Sequence, residues 1–125
     1  MADILLIEDS PTDAHAYGAL LRASGHDVLV ASTGEEGMSL AQQHNPDLII
    51  MDIVMPGLNG FQATRELRRM DATSSIPIII MSTKDQESDR IWGLRQGAFD
   101  YLVKPVKKRA LLKCVNSALA SHERV

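Results

Sequence analysis

Three carboxylates, two hydroxyls and one ammonium stand directly behind short apolar runs. Glu8 and Asp9 follow Ile4-Leu5-Leu6-Ile7, Asp52 follows Leu48-Ile49-Ile50-Met51, Ser82 and Thr83 follow Ile78-Ile79-Ile80-Met81, and Lys104, with Pro105 behind it, follows Tyr101-Leu102-Val103. Singly, each acid has an ordinary explanation, because helix N-termini favour negative charge. Brought together, three carboxylates repel one another, and burying them without a counter-ion raises a pKa or costs stability. A cation is therefore expected among them. Oxygen donors without His or Cys partners select a hard ion, and Mg²⁺ is usually held by one or two carboxylates with phosphate oxygens and water; Mn²⁺ is an acceptable substitute. A carboxylate beside such an ion can attack a phosphoryl group and form an acyl phosphate. A lysine and a hydroxyl then complete the donors for the phosphoryl oxygens. The histidines, at 15, 26, 44 and 122, lack metal-ligand spacing and read as surface or helix-face residues.

These groups need a scaffold that carries strand ends to one place. The four runs named above, with Val28-Leu29-Val30-Ala31, are apolar and rich in β-branched residues, as strands buried on both faces are. Between them lie segments of helical period with start signals. Ser10-Pro11-Thr12-Asp13 supplies an N-cap, a first-position proline and an early acid ahead of Ala14, Tyr17 and Leu21. Thr33 with Glu36 reads as a capping box before Gly37, Leu40, Ala41 and His44, and Asn59 with Gln62 opens a helix facing inward through Ala63, Leu67 and Met70. Asp85 is the expected cap of a fourth helix with Ile91, Leu94 and Ala98 inward. Leu111, Cys114, Val115 and Ala118 mark an amphipathic last helix. Alternating strands and helices imply βαβ units: an α/β, doubly wound, three-layer (βα)5 sandwich on a parallel five-stranded sheet with right-handed crossovers. Such open sheets bind ligands beyond the carboxyl ends of their strands, where strand order reverses.

The 125 residues amount to one domain, expected to span 1–125, and 45% hydrophobic with 23% charged residues is a globular composition. Aromatics are only 4%, so aliphatics fill the core. A net charge of −3 provides no cationic field for nucleic acid. No basic leader or membrane-length apolar run is present, and the lone Cys114 fits a reducing compartment, so the cytoplasm is expected.

The sequence resembles the response-regulator receiver family, CheY-like in kind, over essentially its whole length. The resemblance rests on Ile7-Glu8-Asp9-Ser10, Met51-Asp52-Ile53-Val54-Met55-Pro56-Gly57, Met81-Ser82-Thr83-Lys84 and Tyr101-Leu102-Val103-Lys104-Pro105. Within the family it is similar to PilH-type stand-alone receivers of the chemotaxis-like system controlling type IV pili and twitching motility. That narrower likeness lies in residues 51–65, Thr83-Lys84-Asp85-Gln86-Glu87, Trp92-Gly93 and Arg95-Gln96-Gly97-Ala98. The resemblance implies a flavodoxin-like fold with strand order 2-1-3-4-5. It implies that Asp52 is the phosphoacceptor and that Asp9, Asp52 and the Val54 backbone carbonyl bind Mg²⁺, with Glu8 acting through a metal-bound water. Ser82 and Lys104 would contact phosphoryl oxygens, Ser82 and Tyr101 would form the switch, and Pro105 would follow a cis peptide. Ser82 stands where threonine is usual and keeps the hydroxyl; Thr83 stands where a smaller residue is usual and would crowd the site.

A dehalogenase-type phosphatase also uses an aspartate nucleophile on a parallel sheet, but needs a second acid two residues on, where Val54 stands. Nucleotide-binding loops of the GxxxxGK[ST] or GxGxxG kind are missing. A flavin-binding protein of this architecture would not need the acids and lysine. The expectation is a signalling phosphoacceptor rather than an enzyme, with a histidine kinase as donor, a protein output partner, and a monomer or weak homodimer as its state. About twenty residues follow Lys104, room for one helix. A stand-alone module is thus expected, with excision from a larger regulator as the alternative. Its output face is expected on the fourth helix, fifth strand and fifth helix, exposing Arg90, Arg95, Tyr101, Lys107 and Lys108.

Overall fold

The computed structural model describes residues 1–123. The chain alternates strand and helix throughout: β1 (Asp3–Ile7), α1 (Pro11–Ala23), β2 (Asp27–Ala31), α2 (Gly34–His44), β3 (Leu48–Met51), α3 (Gly60–Arg69), β4 (Ile78–Ser82), α4 (Glu87–Arg95), β5 (Asp100–Val103) and α5 (Lys108–Glu123). The strands form one parallel sheet in the order β2-β1-β3-β4-β5. The chain therefore winds one way from β1 to β2 and the other way from β3 onward, which opens a crevice between the carboxyl ends of β1 and β3.

Successive side chains of a strand face opposite sides of the sheet, so the aliphatic runs fill two cores. Ile4, Leu6, Leu48, Ile50, Ile79 and Met81 meet Tyr17 and Leu21 of α1 and Leu111, Cys114, Val115 and Ala118 of α5. Leu5, Ile7, Ile49, Met51 and Ile78 meet Ala41 of α2 and Ala63 and Leu67 of α3. Each fully buried aliphatic contributes about 1.5–3 kcal/mol relative to exposure. The inner faces expected of α1, α3 and α5 are thus the ones used; on α2, Gly37 and Ala41 are buried, Leu40 is half-buried and His44 is exposed.

Position in the sheet corrects the expectation of strands buried on both faces. It holds for the inner strands β1, β3 and β4, whereas on the edge strand β2 Leu29 and Val30, and on the other edge Val103 of β5, remain exposed. Two helix starts also differ from expectation. Thr33 caps α2 by accepting from the Glu36 N–H, but the Glu36 carboxylate turns to the Ser32 N–H at 2.7 Å rather than back to Thr33. The fourth helix begins one residue later than expected: Gln86 rather than Asp85 occupies the cap, and its N–H donates to Asp89 Oδ2 at 3.2 Å. Of the residues expected to face inward there, only Ala98 is buried; Ile91 and Leu94 are exposed. Gly93 makes the buried contact instead, because its bare Cα lets α4 settle on Ile80 and Tyr101, where an added Cβ would lie 3.0 and 3.1 Å from their side chains. The capping box of Asn59 and Gln62 on α3 is formed in full.

Candidate functional site

Three of the polar residues singled out at strand ends are held by the strand beside them. Where β1 ends, the Glu8 N–H donates to the Ala31 carbonyl; where β3 ends, the Asp52 N–H donates to Ile7 O at 3.1 Å; where β5 ends, the Lys104 N–H donates to Ser82 O at 2.8 Å. Parallel pairing thus aligns β1, β3, β4 and β5 so that their carboxyl ends share one rim. Glu8, Asp9 and Asp52 each offer an oxygen within 4.8 Å of the others. Glu8 is buried at 2%, Asp52 is 9% exposed and Asp9 is open to solvent.

Lys104 enters this cluster. Its Nζ donates to Asp52 Oδ2 at 3.0 Å, to Asp13 Oδ2 at 2.8 Å and, in a very short contact, to Glu8 Oε1. Its side chain is only 5% exposed. The other Asp52 oxygen, Oδ1, accepts from the Ile53 N–H at 2.6 Å and more distantly from the Val54 N–H at 3.4 Å. Glu8 Oε2 accepts from the Ser10 N–H at 3.1 Å. The Lys104–Pro105 peptide bond is cis.

Electrostatics follow from this packing. Burial pushes the Glu8 carboxyl above its ordinary value, and the hydrogen bonds from Lys104 and Ser10 only partly offset that. Burial alone would lower Lys104, but Asp13, Glu8 and Asp52 together hold its ammonium above the ordinary lysine value. Four carboxylates then face one ammonium, an imbalance that a divalent cation would relieve.

Ser82 is fully buried, and its Oγ accepts from the Lys84 N–H at 3.3 Å. Thr83 points to solvent and Val54 is 56% exposed. Tyr101 corrects one expectation: its ring is not part of the exposed face. It is 4% exposed, packs with Ile80, Ile53 and Ala98, and donates its hydroxyl to the Lys84 carbonyl at 2.7 Å. Burial, with Asp89 nearby, raises its phenol to about 12. Arg90, Arg95, Lys107 and Lys108 are exposed as expected, but Arg90 lies 3.7 Å from Asp100, and apolar Ile91, Trp92, Leu94 and Val103 share the surface. His15 and His44 are exposed and His26 accepts from the Ala2 N–H, while the side chain of His122 lies outside those described.

Asp13 is the participant that sequence reasoning missed. Its role as an acid in the first turn of α1, with its N–H donating to Ser10 Oγ, accounts for its presence there without reference to Lys104. Its only signal was that the turn begins immediately behind the acidic pair. Glu35 is a second: from the start of α2 it reaches across to accept from the Leu58 N–H at 3.3 Å, bracing the loop after Asp52.

Residues 4–116 match the family model described as response regulator receiver domain. The chain belongs to this family. The receiver is 57% identical to the protein PilH of Pseudomonas aeruginosa over 120 residues, covering 96% of this chain and 99% of that one. Among solved structures, chemotaxis protein CheY4 of Vibrio cholerae superimposes with a TM-score of 0.88 at 30% identity, covering 94% and 98% of the two chains. The receiver domain of a sensor histidine kinase from Pseudomonas aeruginosa, described with a magnesium ion coordinated in its active site cleft, superimposes at 0.89 with 33% identity, covering 95% and 98%. The receiver thus has the CheY-like, flavodoxin-like fold in the expected strand order, and its family members are signalling proteins. Among its described residues no helix is long and apolar enough to cross a membrane.

Proposed function

We infer that the receiver is a stand-alone, cytoplasmic phosphorylation switch of a two-component system, with Asp52 as phosphoacceptor. The observation that carries this is the seating of Asp52 among Glu8, Asp9 and the Lys104 ammonium at the crevice of the sheet. An Asp52 carboxylate oxygen attacks phosphorus of a histidine kinase's phosphoimidazole. As the new O–P bond forms the N–P bond breaks, its electron pair stays on nitrogen, and nitrogen takes up a proton. The all-oxygen donor set fits Mg²⁺ or Mn²⁺, which Asp9, Asp52 and the Val54 carbonyl would hold, with Glu8 acting through a metal-bound water. When bound, the ion supplies positive charge against the phosphoryl oxygens. Lys104 and the buried Ser82 hydroxyl bind the remaining oxygens, and Lys104 keeps the nucleophile oriented beforehand.

The same reading covers the output. Drawing Ser82 toward a phosphoryl oxygen loosens its bond to the Lys84 N–H, and Lys84 is the residue whose carbonyl anchors Tyr101. A change at Asp52 can thereby reach the α4-β5-α5 surface with Arg90, Arg95, Lys107 and Lys108, which meets an acidic protein partner. Likeness to PilH over nearly both full lengths supports a stand-alone receiver, and the PilH-type resemblance of residues 51–65 makes type IV pilus twitching motility the process we assign to it.

Acetyl phosphate with Mg²⁺ is expected to add one phosphoryl group by intact-mass spectrometry, with none on Asp52→Asn and none in excess chelator. Equal labelling of that variant would refute the assignment. With beryllofluoride as phosphoryl mimic, amide NMR shifts should extend from Asp52 to Tyr101 and Lys107; shifts confined to the Asp52 loop would exclude this output face.

A further inference from the structure

The Lys104 ammonium carries three hydrogens, and all three are committed to carboxylates: Glu8, Asp13 and Asp52. A phosphoryl oxygen can be met only if one of these bonds is surrendered. The three are not equal. Glu8 has a side chain 1% exposed and is fixed on its other oxygen by the Ser10 N–H. An unpaired buried carboxylate is costly, so that bond is kept. Asp52 is the residue modified. Asp13 is 36% exposed and sits in the first turn of α1, where water and the positive end of the helix dipole stabilise its charge once Lys104 leaves.

We propose that Asp13 is a positioning residue that detains Lys104 in the unmodified receiver by holding its third hydrogen, and that its release is the step by which Lys104 turns to the phosphoryl group. This rests on the reading of Asp52 as phosphoacceptor and deepens it by assigning a residue that opposes the switch. Because the Asp13 bond exists in only one of the two states, it stabilises the unmodified state selectively and lowers the affinity for a phosphoryl group. Its removal therefore strengthens occupancy of the site, the reverse of what loss of a supporting group would do.

The test compares wild type, Asp13→Asn, Asp13→Glu, Asp13→Ser, Asp52→Asn and a charge control, Asp85→Asn, an exposed acid in the loop beyond β4. Beryllofluoride affinity is measured in saturating Mg²⁺ by NMR titration, and labelling by acetyl phosphate is followed by intact mass. Asp13→Asn and Asp13→Ser should bind beryllofluoride roughly three- to tenfold more tightly, as loss of one partly solvated charge-assisted bond implies, and label correspondingly faster. Asp13→Glu should lie nearer wild type, and Asp85→Asn should match it. The ammonium cross-peak of Lys104, protected while its hydrogens are bound, should exchange faster in Asp13→Asn. Unchanged or weaker beryllofluoride binding in both neutral variants would overturn the proposal, as would an equal gain in Asp85→Asn, which would mark a general charge effect. Labelling of wild type but not of Asp52→Asn keeps the phosphoacceptor reading standing whichever way Asp13 behaves. Failure of wild type to label would refute that reading and this inference with it.

Discussion

Gly60, the first residue of α3, shows how narrowly the loop carrying Asp52 is threaded. A Cβ there would collide with the Asp52 carbonyl oxygen and lie 2.8 Å from the Ile53 Cα, and both are backbone atoms that cannot swing aside. Gly60→Ala is expected to cost about 1–3 kcal/mol, the usual range for overpacking, read as a lower urea midpoint, and to slow labelling of Asp52. A stability within error of wild type would show that the loop can yield. Two residues beyond Asp52, Val54 leaves an apolar side chain 56% exposed at the mouth of the site. Attack of water on an acyl phosphate is helped by a side chain able to hold that water, and Val54 has no group to do so. Val54→Asn should shorten the phosphoryl lifetime several-fold in a phosphate-release assay, roughly the scale of one added hydrogen bond. An unchanged decay would remove Val54 from the account. Glu8, Asp9, Asp52 and Lys104 were legible as neighbours because each stands at the carboxyl end of an apolar run. Asp13 was not, because an acid in a first helical turn already has a local explanation.

At the scale of elements, α3 and α4 behave differently although their apolar residues recur at similar spacing. On α3 the stripe faces the sheet, with Ala63 and Leu67 fully buried; on α4 Ile91 and Leu94 face outward and Gly93 faces in. Periodicity reports that a helix has an apolar face, not what will cover it. Here the space beneath α4 is already filled by the Tyr101 ring and Ile80, so only a residue without a side chain fits there. The consequence is measurable by chemical denaturation. Leu67→Ala should cost about 2–5 kcal/mol, whereas Leu94→Gln should stay within about 0.5 kcal/mol of wild type. A large loss in Leu94→Gln would mean that α4 packs more deeply than its exposure indicates. The edge strands teach the same lesson: Val28-Leu29-Val30-Ala31 reads like the inner runs, yet β2 has one neighbour and Leu29 and Val30 stay in contact with water.

For the molecule as a whole, two buried acidic protons, on Tyr101 of β5 and Cys114 of α5, make the fold sensitive to alkali. Burial pushes the Cys114 thiol from 9.0 to about 12, with Asp100 adding to the shift, and the Tyr101 phenol from 10.0 to about 12. The unfolded chain gives up both protons at lower pH than the native state, so from pH 9 upward the native state binds more protons. Stability must then fall as pH rises, with the contribution whole below pH 9 and spent by pH 12. Urea midpoints measured from pH 8 to 11 should decline, and less steeply in Cys114→Ala combined with Tyr101→Phe. A flat profile up to pH 11 would show that the fold does not hold these protons.

Residue order alone was enough to read the alternation of five strands and five helices, the parallel sheet, and the acids, hydroxyl and lysine at the strand ends. It was enough because aliphatic runs and helix caps are local signals. Tertiary packing settled which strands lie at the edges, that α4 turns its apolar residues outward, that Tyr101 is tucked beneath it, and that Lys104 is shared by three carboxylates. Each of these depends on what packs against a residue from a distant part of the chain; Asp13 and Lys104 are 91 positions apart, and their contact exists only because β1 and β5 end on the same rim of the sheet.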